Sequence, residues 1–468
     1  MSSKGELAVL VKKVNILSVE GTGTLARIPL GGGTPREVLE DVYFADWAPN
    51  GEDLAISRRL PTGKAQIEYP VGTVLHEADV SCLRVSPKGD LLAFADWGNW
   101  GNDKRATITT IDSKGKRKAV SAGWSEFRGL AWSPRGDEII FGGGRAINDV
   151  AIRAVSLSGR ERVLISNGGG LFFHDVAPDG RLLVERKTLR NGMACLPRGE
   201  SRERELGWFD ESSVRRISED GSFIVFAESG EASDPKGGVF LRKTDGTPAI
   251  RLGDGNANGL SSDGRWVLSR LLGPPRELVL LPTGPGTARK IPVEGVEPLF
   301  AFLLPKGRGF LVFAKGKGEP FALSVLGSDG GKPRSVRTEG VLWDWALVVS
   351  PDGDRLAYVA KEGRLMIAPL TGGEITTVPG APLDRNEEPA EWSADGQFLY
   401  LLRREVPARV DRLELATGRR EPWKQLMPED PAGVTGIYPV LIARDGRSYA
   451  YSYDRVVASD LYVVEGPK

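Results

Sequence analysis

Residues 349–358 read Val349-Ser350-Pro351-Asp352-Gly353-Asp354-Arg355-Leu356-Ala357-Tyr358, an apolar residue, a tight turn and an apolar run. Pro351 pre-sets φ for the second turn position, Asp352 suits the third, and Gly353 accepts a positive φ without a Cβ clash. The flanking residues are strand formers, so the segment predicts a β-hairpin.

The same pattern returns along the chain. It occurs at Trp47-Ala-Pro-Asn-Gly51, Val85-Ser-Pro-Lys-Gly89, Trp132-Ser-Pro-Arg-Gly136, Val176-Ala-Pro-Asp-Gly180 and Ile217-Ser-Glu-Asp-Gly221. Further copies are Leu260-Ser-Ser-Asp-Gly264, Leu303-Leu-Pro-Lys-Gly307, Trp392-Ser-Ala-Asp-Gly396 and Ile442-Ala-Arg-Asp-Gly446. With Gly353 these make ten copies at spacings of 38 to 50 residues. After each hairpin come a third strand, a turn and a fourth strand, as in Met366–Leu370 and Ile375–Val378. Four strands in about 43 residues make one propeller blade. A β-solenoid needs a shorter period and lacks these paired hairpins.

The expected fold is all-β: ten to eleven four-stranded blades in two tandem propellers, with one large ring as the alternative. Ser3-Lys4-Gly5 reads as an eleventh turn, which starts the chain in mid-blade and suggests a fragment or a shortened reading frame. The expected domains are an N-terminal propeller over 1–207, its first blade incomplete, and a six-bladed propeller over 208–468. The charged segment Arg198–Gly207 reads as blade-free, and the C-terminal unit as three strands, Tyr438–Ala443, Ser448–Tyr453 and Asp460–Val464. Such rings close by borrowing a strand from the other end. Five residues before the turn glycine, Asp46 and Arg84 have opposite signs in adjacent repeats, as do Asp175 and Arg216. If these are pairs between blades, Asp175 and Arg216 share a ring.

Composition narrows the function. Lys+Arg 62 balance Asp+Glu 62, which argues against nucleic acid or a polybasic membrane surface. Gly 59 and Pro 31 disfavour long helices. No apolar run is long enough to cross a membrane as a helix, and the N-terminus has no apolar signal region. The two cysteines, Cys82 and Cys195, make no disulfide framework. With only His76 and His174, multi-histidine metal sites are excluded.

Catalytic signatures are missing. There is no Gly-x-Ser-x-Gly elbow and no kinase signature. The runs Gly31–Gly33, Gly142–Gly144 and Gly168–Gly170 lack P-loop continuations and read as hairpin turns. His174-Asp175 lies on an expected inner strand with no serine placed near it, and His76 reads as a surface residue. Asp254, Asn256 and Asn258 match the first half of an EF-hand loop, a weak calcium candidate, but Arg265 stands where the bidentate glutamate belongs. No cofactor is expected. Trp47, Trp132 and Trp392 occupy the repeat's apolar column and read as core. Trp97 and Trp100 stand outside it in a polar loop, as do Trp343 and Trp345 around Asp344. These five are the candidate ligand-binding residues, since exposed Trp beside a carboxylate gives large contact area at low entropy cost. Inter-blade filling is the competing role.

The run Ser350-Pro-Asp-Gly353 with Leu356-Ala-Tyr358 resembles the TolB-like and WD-repeat-like propellers of bacteria. The C-terminal residues Pro431–Val440, Ser448–Tyr453 and Ser459–Gly466 resemble the end of the propeller region of acidobacterial-type transmembrane Ser/Thr kinases. Thr24–Gly33 and Leu241–Gly246 fit as well. The resemblance implies a sensor or binding part, extracytoplasmic in such kinases, with the kinase domain and membrane helix not represented here. The expected function is a non-catalytic propeller that binds a protein, peptide or small molecule. The alternatives are a stand-alone TolB-like envelope scaffold and a propeller-type lyase or hydrolase.

Overall fold

The computed structural model describes residues 1–16, 19–60, 64–98, 105–145, 149–166, 170–229, 236–273, 275–316, 321–341, 347–360, 363–380, 382–384 and 386–465. Among them the only helix is one 3-10 turn, Pro305–Gly307; the rest of the regular structure is strand.

The repeated turn has the expected chemistry. In nine of the ten copies the glycine N–H donates to the carbonyl three residues back, as Gly353 does to Ser350 at 2.9 Å. The same bond joins Gly5 to Ser2 at 3.1 Å, the eleventh turn. At the exception, Pro305–Gly307 tighten into the 3-10 turn and Lys306 takes φ 58°. Gly353 has φ 78°, where an L side chain is strained. The serine has its own role. Ser350 Oγ accepts the Arg355 N–H at 2.9 Å and donates to Asp352, whose Oδ1 accepts the Asp354 N–H at 2.9 Å. The same set recurs at Ser218 with Asp220, Ser261 with Asp263 and Ser393 with Asp395. The turn therefore fixes both ends of the hairpin.

The chain forms two compact units, Met1–Thr188 with Ala458–Lys468, and Leu189–Val457. It passes from the first to the second within the strand Leu182–Leu196, and returns within Tyr449–Val464. No linker marks either crossing.

In the first unit, blade 1 is Glu6–Ile16, Val19–Pro29 and the first half of Arg36–Trp47. The second half of that strand pairs with Leu54–Arg59 and begins blade 2, completed by Ala65–Glu68 and Val74–Ala78. Blade 3 runs from Val80–Val85 to Arg117–Trp124, and blade 4 from Glu126–Trp132 to Glu161–Ile165. Blade 5 holds Leu171–Val176, the start of Leu182–Leu196 and the end of Tyr449–Val464. Apolar cores lie between successive blades, such as Ala95, Trp124, Leu130 and Phe141 between blades 3 and 4. A fully buried side chain of this size contributes about 1.5–3 kcal/mol.

The second unit closes on itself. Blades 6 to 10 begin with Ser212–Ile217, Asn256–Leu260, Val296–Leu303, Leu347–Val349 and Glu387–Trp392, each followed by three antiparallel strands. Blade 11 joins Val434–Ile442 and the start of Tyr449–Val464 to the end of Leu182–Leu196 and to Arg204–Glu205. Two of its strands come from each end of this unit. This corrects two expectations. Arg198–Gly207 carries an outer strand, and Asp460–Val464 is no separate strand but continues from Tyr449. Shared cores join all six neighbouring pairs, blade 11 to 6 included through Met193, Val214, Ile224, Phe226 and Ala450. Six four-stranded sheets in a cyclic series of cores are a propeller.

Candidate functional site

The inner strands share a feature that the repeat pattern hides. In nine of the ten, the register slips midway along the strand. The slips fall between Val42 and Phe44, Ser81 and Leu83, Phe127 and Leu130, Phe173 and Asp175, and Val214 and Arg216. Others lie between Ala257 and Gly259, Pro298 and Phe300, Pro389 and Glu391, and Ile437 and Val440. The tenth, in blade 9, is described only over Leu347–Val349. A bulge adds one residue on its strand, breaks the two-residue alternation and re-aims the side chains beside it.

In the second unit this gathers charge in the central channel. The bulge at Arg215 lets both Arg215 and Arg216 reach beyond their own blade. Arg216, from blade 6, lies 5.4 Å from the Phe302 ring of blade 8, two blades on. In the opposite direction it feels Glu391 of blade 10 and Tyr438 of blade 11. A side chain that meets both neighbours-but-one lies near the axis. Burial lowers the pKa of Arg216, and Glu391 and Tyr438 oppose this. Arg215 is lowered by burial and by Arg216 beside it. Burial, Arg276 and Arg215 bring Arg270 down to about 10, and its guanidinium lies 5.4 Å from the Phe300 ring. The Nε atoms of Arg215 and Arg270 are buried without a hydrogen-bond partner among the described residues.

Two acidic groups face this cluster. Burial pushes the Glu391 carboxyl up to about 7, against the Trp392 N–H, which donates to Oε1 at 3.1 Å, and against Arg216 and Arg444. Burial, with Glu388 close by, brings the Tyr438 phenol to about 12. Arg404 stacks on the Tyr438 ring at 3.9 Å and pairs with Glu388. Within this unit the carboxylate in electrostatic range of Arg216 is thus Glu391, which forms no ion pair with it, while Asp175 belongs to the first unit.

The first unit has its own inner-strand cluster. Asp46 Oδ2 accepts the Val85 N–H at 2.8 Å, and burial raises its pKa against the pull of Arg84. Arg84 donates to the carbonyl of His174 at 3.0 Å, across the intervening blade. His174 Nε2 lies 2.9 Å from Glu185 Oε2, while Glu185 Oε1 accepts from Ser459 at 2.5 Å and pairs with Lys187 at 3.1 Å. Serine, histidine and carboxylate therefore meet, but both Ser459 and the ring nitrogen bond the carboxylate. A nucleophile–base pair needs the serine on the ring.

Of the candidate residues named from sequence, the described ones have other neighbours. Trp97 is half-buried, donates from Nε1 to Ser81 at 2.8 Å and packs on the core between blades 3 and 4. Trp100, Trp343, Asp344 and Trp345 lie outside the described residues. Asp254 ends the strand Ile250–Asp254 and binds Arg251 at 2.6 Å, while Asn256 and Asn258 lie on the next strand. Among the described residues no three of His, Cys, Asp and Glu gather as metal ligands. His76 is half-buried, 2.9 Å from Arg117.

The column tryptophans are core, with an added function. Trp132 donates from Nε1 to the Arg84 carbonyl at 3.2 Å, and Trp392 to that of Val348 at 2.9 Å, each on the preceding inner strand. Trp47 is equally buried, but its Nε1 has no partner among the described residues.

Sequence reasoning considered the position five before the turn glycine and so met Arg216. Arg215, one residue earlier, escaped it because only the bulge brings the two together. The run of two arginines on a short inner strand was the available signal.

The sheet order and the cyclic cores define the chain as a β-propeller protein. No protein-family model matches it, and no curated protein does. Among solved structures it is similar to TolB from Acinetobacter baumannii, at 14% identity over 61% of this chain and 81% of that one, TM-score 0.25. It is also similar to an acylaminoacyl peptidase in complex with Z-Gly-Gly-Phe-chloromethyl ketone, at 16% identity and TM-score 0.29. That match takes in 68% of this chain and 57% of the peptidase.

Proposed function

We propose that this chain is a non-catalytic binding module that receives its ligand at the central channel of the second unit, in the manner of a sensor domain. The carrying observation is the convergence of Arg215, Arg216, Arg270, Glu391 and Tyr438 from four blades on one channel. Guanidinium groups hold their protons far above neutral pH, so they recognise and orient rather than exchange protons. In the first unit, Glu185 engages His174, Ser459 and Lys187 together, an arrangement that ties strands to one another.

The C-terminal resemblance supports placing such a module with a receptor Ser/Thr kinase. An antibody against this chain, used on cells that carry the gene, tests that placement. A larger polypeptide with kinase activity supports it; a species of 50.6 kDa separate from any kinase overturns it. Turnover assays test the non-catalytic reading. The purified chain should cleave no chromogenic peptide, ester or uronide substrate. Turnover that His174→Ala or Glu391→Gln abolishes would overturn the reading.

A further inference from the structure

Resting on that reading, we propose that the channel of the second unit binds the oxyanion of its ligand, a carboxylate or phosphate group, between Arg215, Arg216 and Arg270. Three guanidinium groups share this region: Arg216 adjoins Arg215 in sequence, and Arg215 lies within electrostatic range of Arg270. None of the three has a carboxylate within ion-pair distance among the described residues. The neighbouring cations are already engaged: Arg276 with Glu297, Arg404 with Glu388 and Arg444 with Glu219. Like charges crowded in a partly desolvated channel repel one another, and a bound anion relieves that repulsion.

The donors suit an oxyanion. The buried Nε atoms of Arg215 and Arg270 have no acceptor among the described residues, so each guanidinium keeps one N–H unpaired. A guanidinium edge matches the paired oxygens of carboxylate and phosphate. Arg216 already gives Nη1 to the Arg215 carbonyl at 2.6 Å, which fixes its orientation. Phe300 and Phe302 stand beside Arg270 and Arg216, so an apolar group next to the anion finds an aromatic wall. Glu391 lies on the side of blade 10, within electrostatic range of Arg216.

Calorimetric titration of the whole chain with benzoate, inorganic phosphate and the neutral isostere benzamide tests this. Benzoate, phosphate or both should bind saturably, at least about tenfold tighter than benzamide. Whichever anion binds tells a carboxylate from a phosphate source. The double variant Arg215→Gln/Arg270→Gln should weaken anion binding about tenfold or more, and without anion it should melt no lower than the parent. Should that variant fail to fold, Arg216→Lys keeps the charge, loses the fork and should weaken binding several-fold. Benzamide binding as tightly as both anions, or variants that bind like the parent, overturns the proposal. If no anion binds while the chain still turns nothing over, this inference falls and the binding-module reading stands. Turnover removes that reading instead.

Discussion

The hydroxyl of Tyr451 donates to Glu203 Oε2 at 2.7 Å, joining residues 248 positions apart in the chain. Tyr449 donates to the other oxygen of the same carboxylate at 2.6 Å, and Tyr453 to Glu205 at 2.7 Å. These bonds link the two halves of blade 11, the sheet that closes the ring of the second unit. Tyr451→Phe should cost about 1–2 kcal/mol, and Glu203→Ala more, because it leaves two buried hydroxyls without an acceptor. Urea unfolding curves measure both. Equal, negligible losses would show that the apolar core closes the ring unaided.

The tyrosine column carries a pH signature. Burial and the glutamates raise the pKa of all three phenols. A raised acid contributes stability that is full below the unfolded value near 10 and is lost as pH rises through the folded one. Alkaline unfolding above about pH 10 should therefore be milder in Tyr449→Phe/Tyr451→Phe than in the parent, once their difference at neutral pH is subtracted.

Glu391 works in the physiological range. Its folded pKa, about 7, lies above the unfolded value, so its contribution is full below about pH 4.5 and is lost as pH rises through 7. Glu391→Gln removes that loss. Relative to the parent it should gain on the order of 1–2 kcal/mol between about pH 5 and pH 8, read from urea midpoints at both. A pH-independent difference would show that the channel solvates the carboxylate.

The turn aspartates behave oppositely. The serine hydroxyl and backbone N–H groups hold Asp220, Asp263 and Asp395 below the usual carboxylate value, and those at Asp352 do so against its burial. A depressed carboxylate gives stability above the unfolded value near 3.8 that is lost as pH falls through the folded one. Acid melting curves should show the parent losing more stability between about pH 4 and pH 2 than Ser350→Ala/Ser393→Ala does.

The two tryptophans give a paired comparison. Trp132→Phe removes a hydrogen bond to the Arg84 carbonyl as well as some packing, whereas Trp47→Phe removes a buried N–H that has no acceptor among the described residues. Trp132→Phe should be the more destabilising by about 1 kcal/mol, measured by chemical denaturation. An equal cost would place a water or another acceptor on Trp47.

Much of the architecture is legible along the chain because a tight turn is local. Ser350, Asp352 and Gly353 bond to atoms within five residues, so every blade announces its own hairpin. The Trp column is legible for the same reason, since each copy faces an equivalent neighbour. Trp97, read as a binding candidate, packs between blades, because its partner Ser81 is set by strand pairing and leaves no mark beside it.

Local turn chemistry and the 43-residue period thus establish about eleven propeller blades from residues alone, since each repeat carries its own bonds. Folding in three dimensions settles the rest. A strand such as Tyr449–Val464 shows nothing in its own residues of where it changes unit, because strand pairing depends on which edges are left open. The bulge at Arg215 is likewise invisible in sequence: its extra residue is defined only against Phe226 and Val225 on the partner strand. Ring closure and the charged channel both follow from such non-local pairings, and the channel is where the proposed function lies.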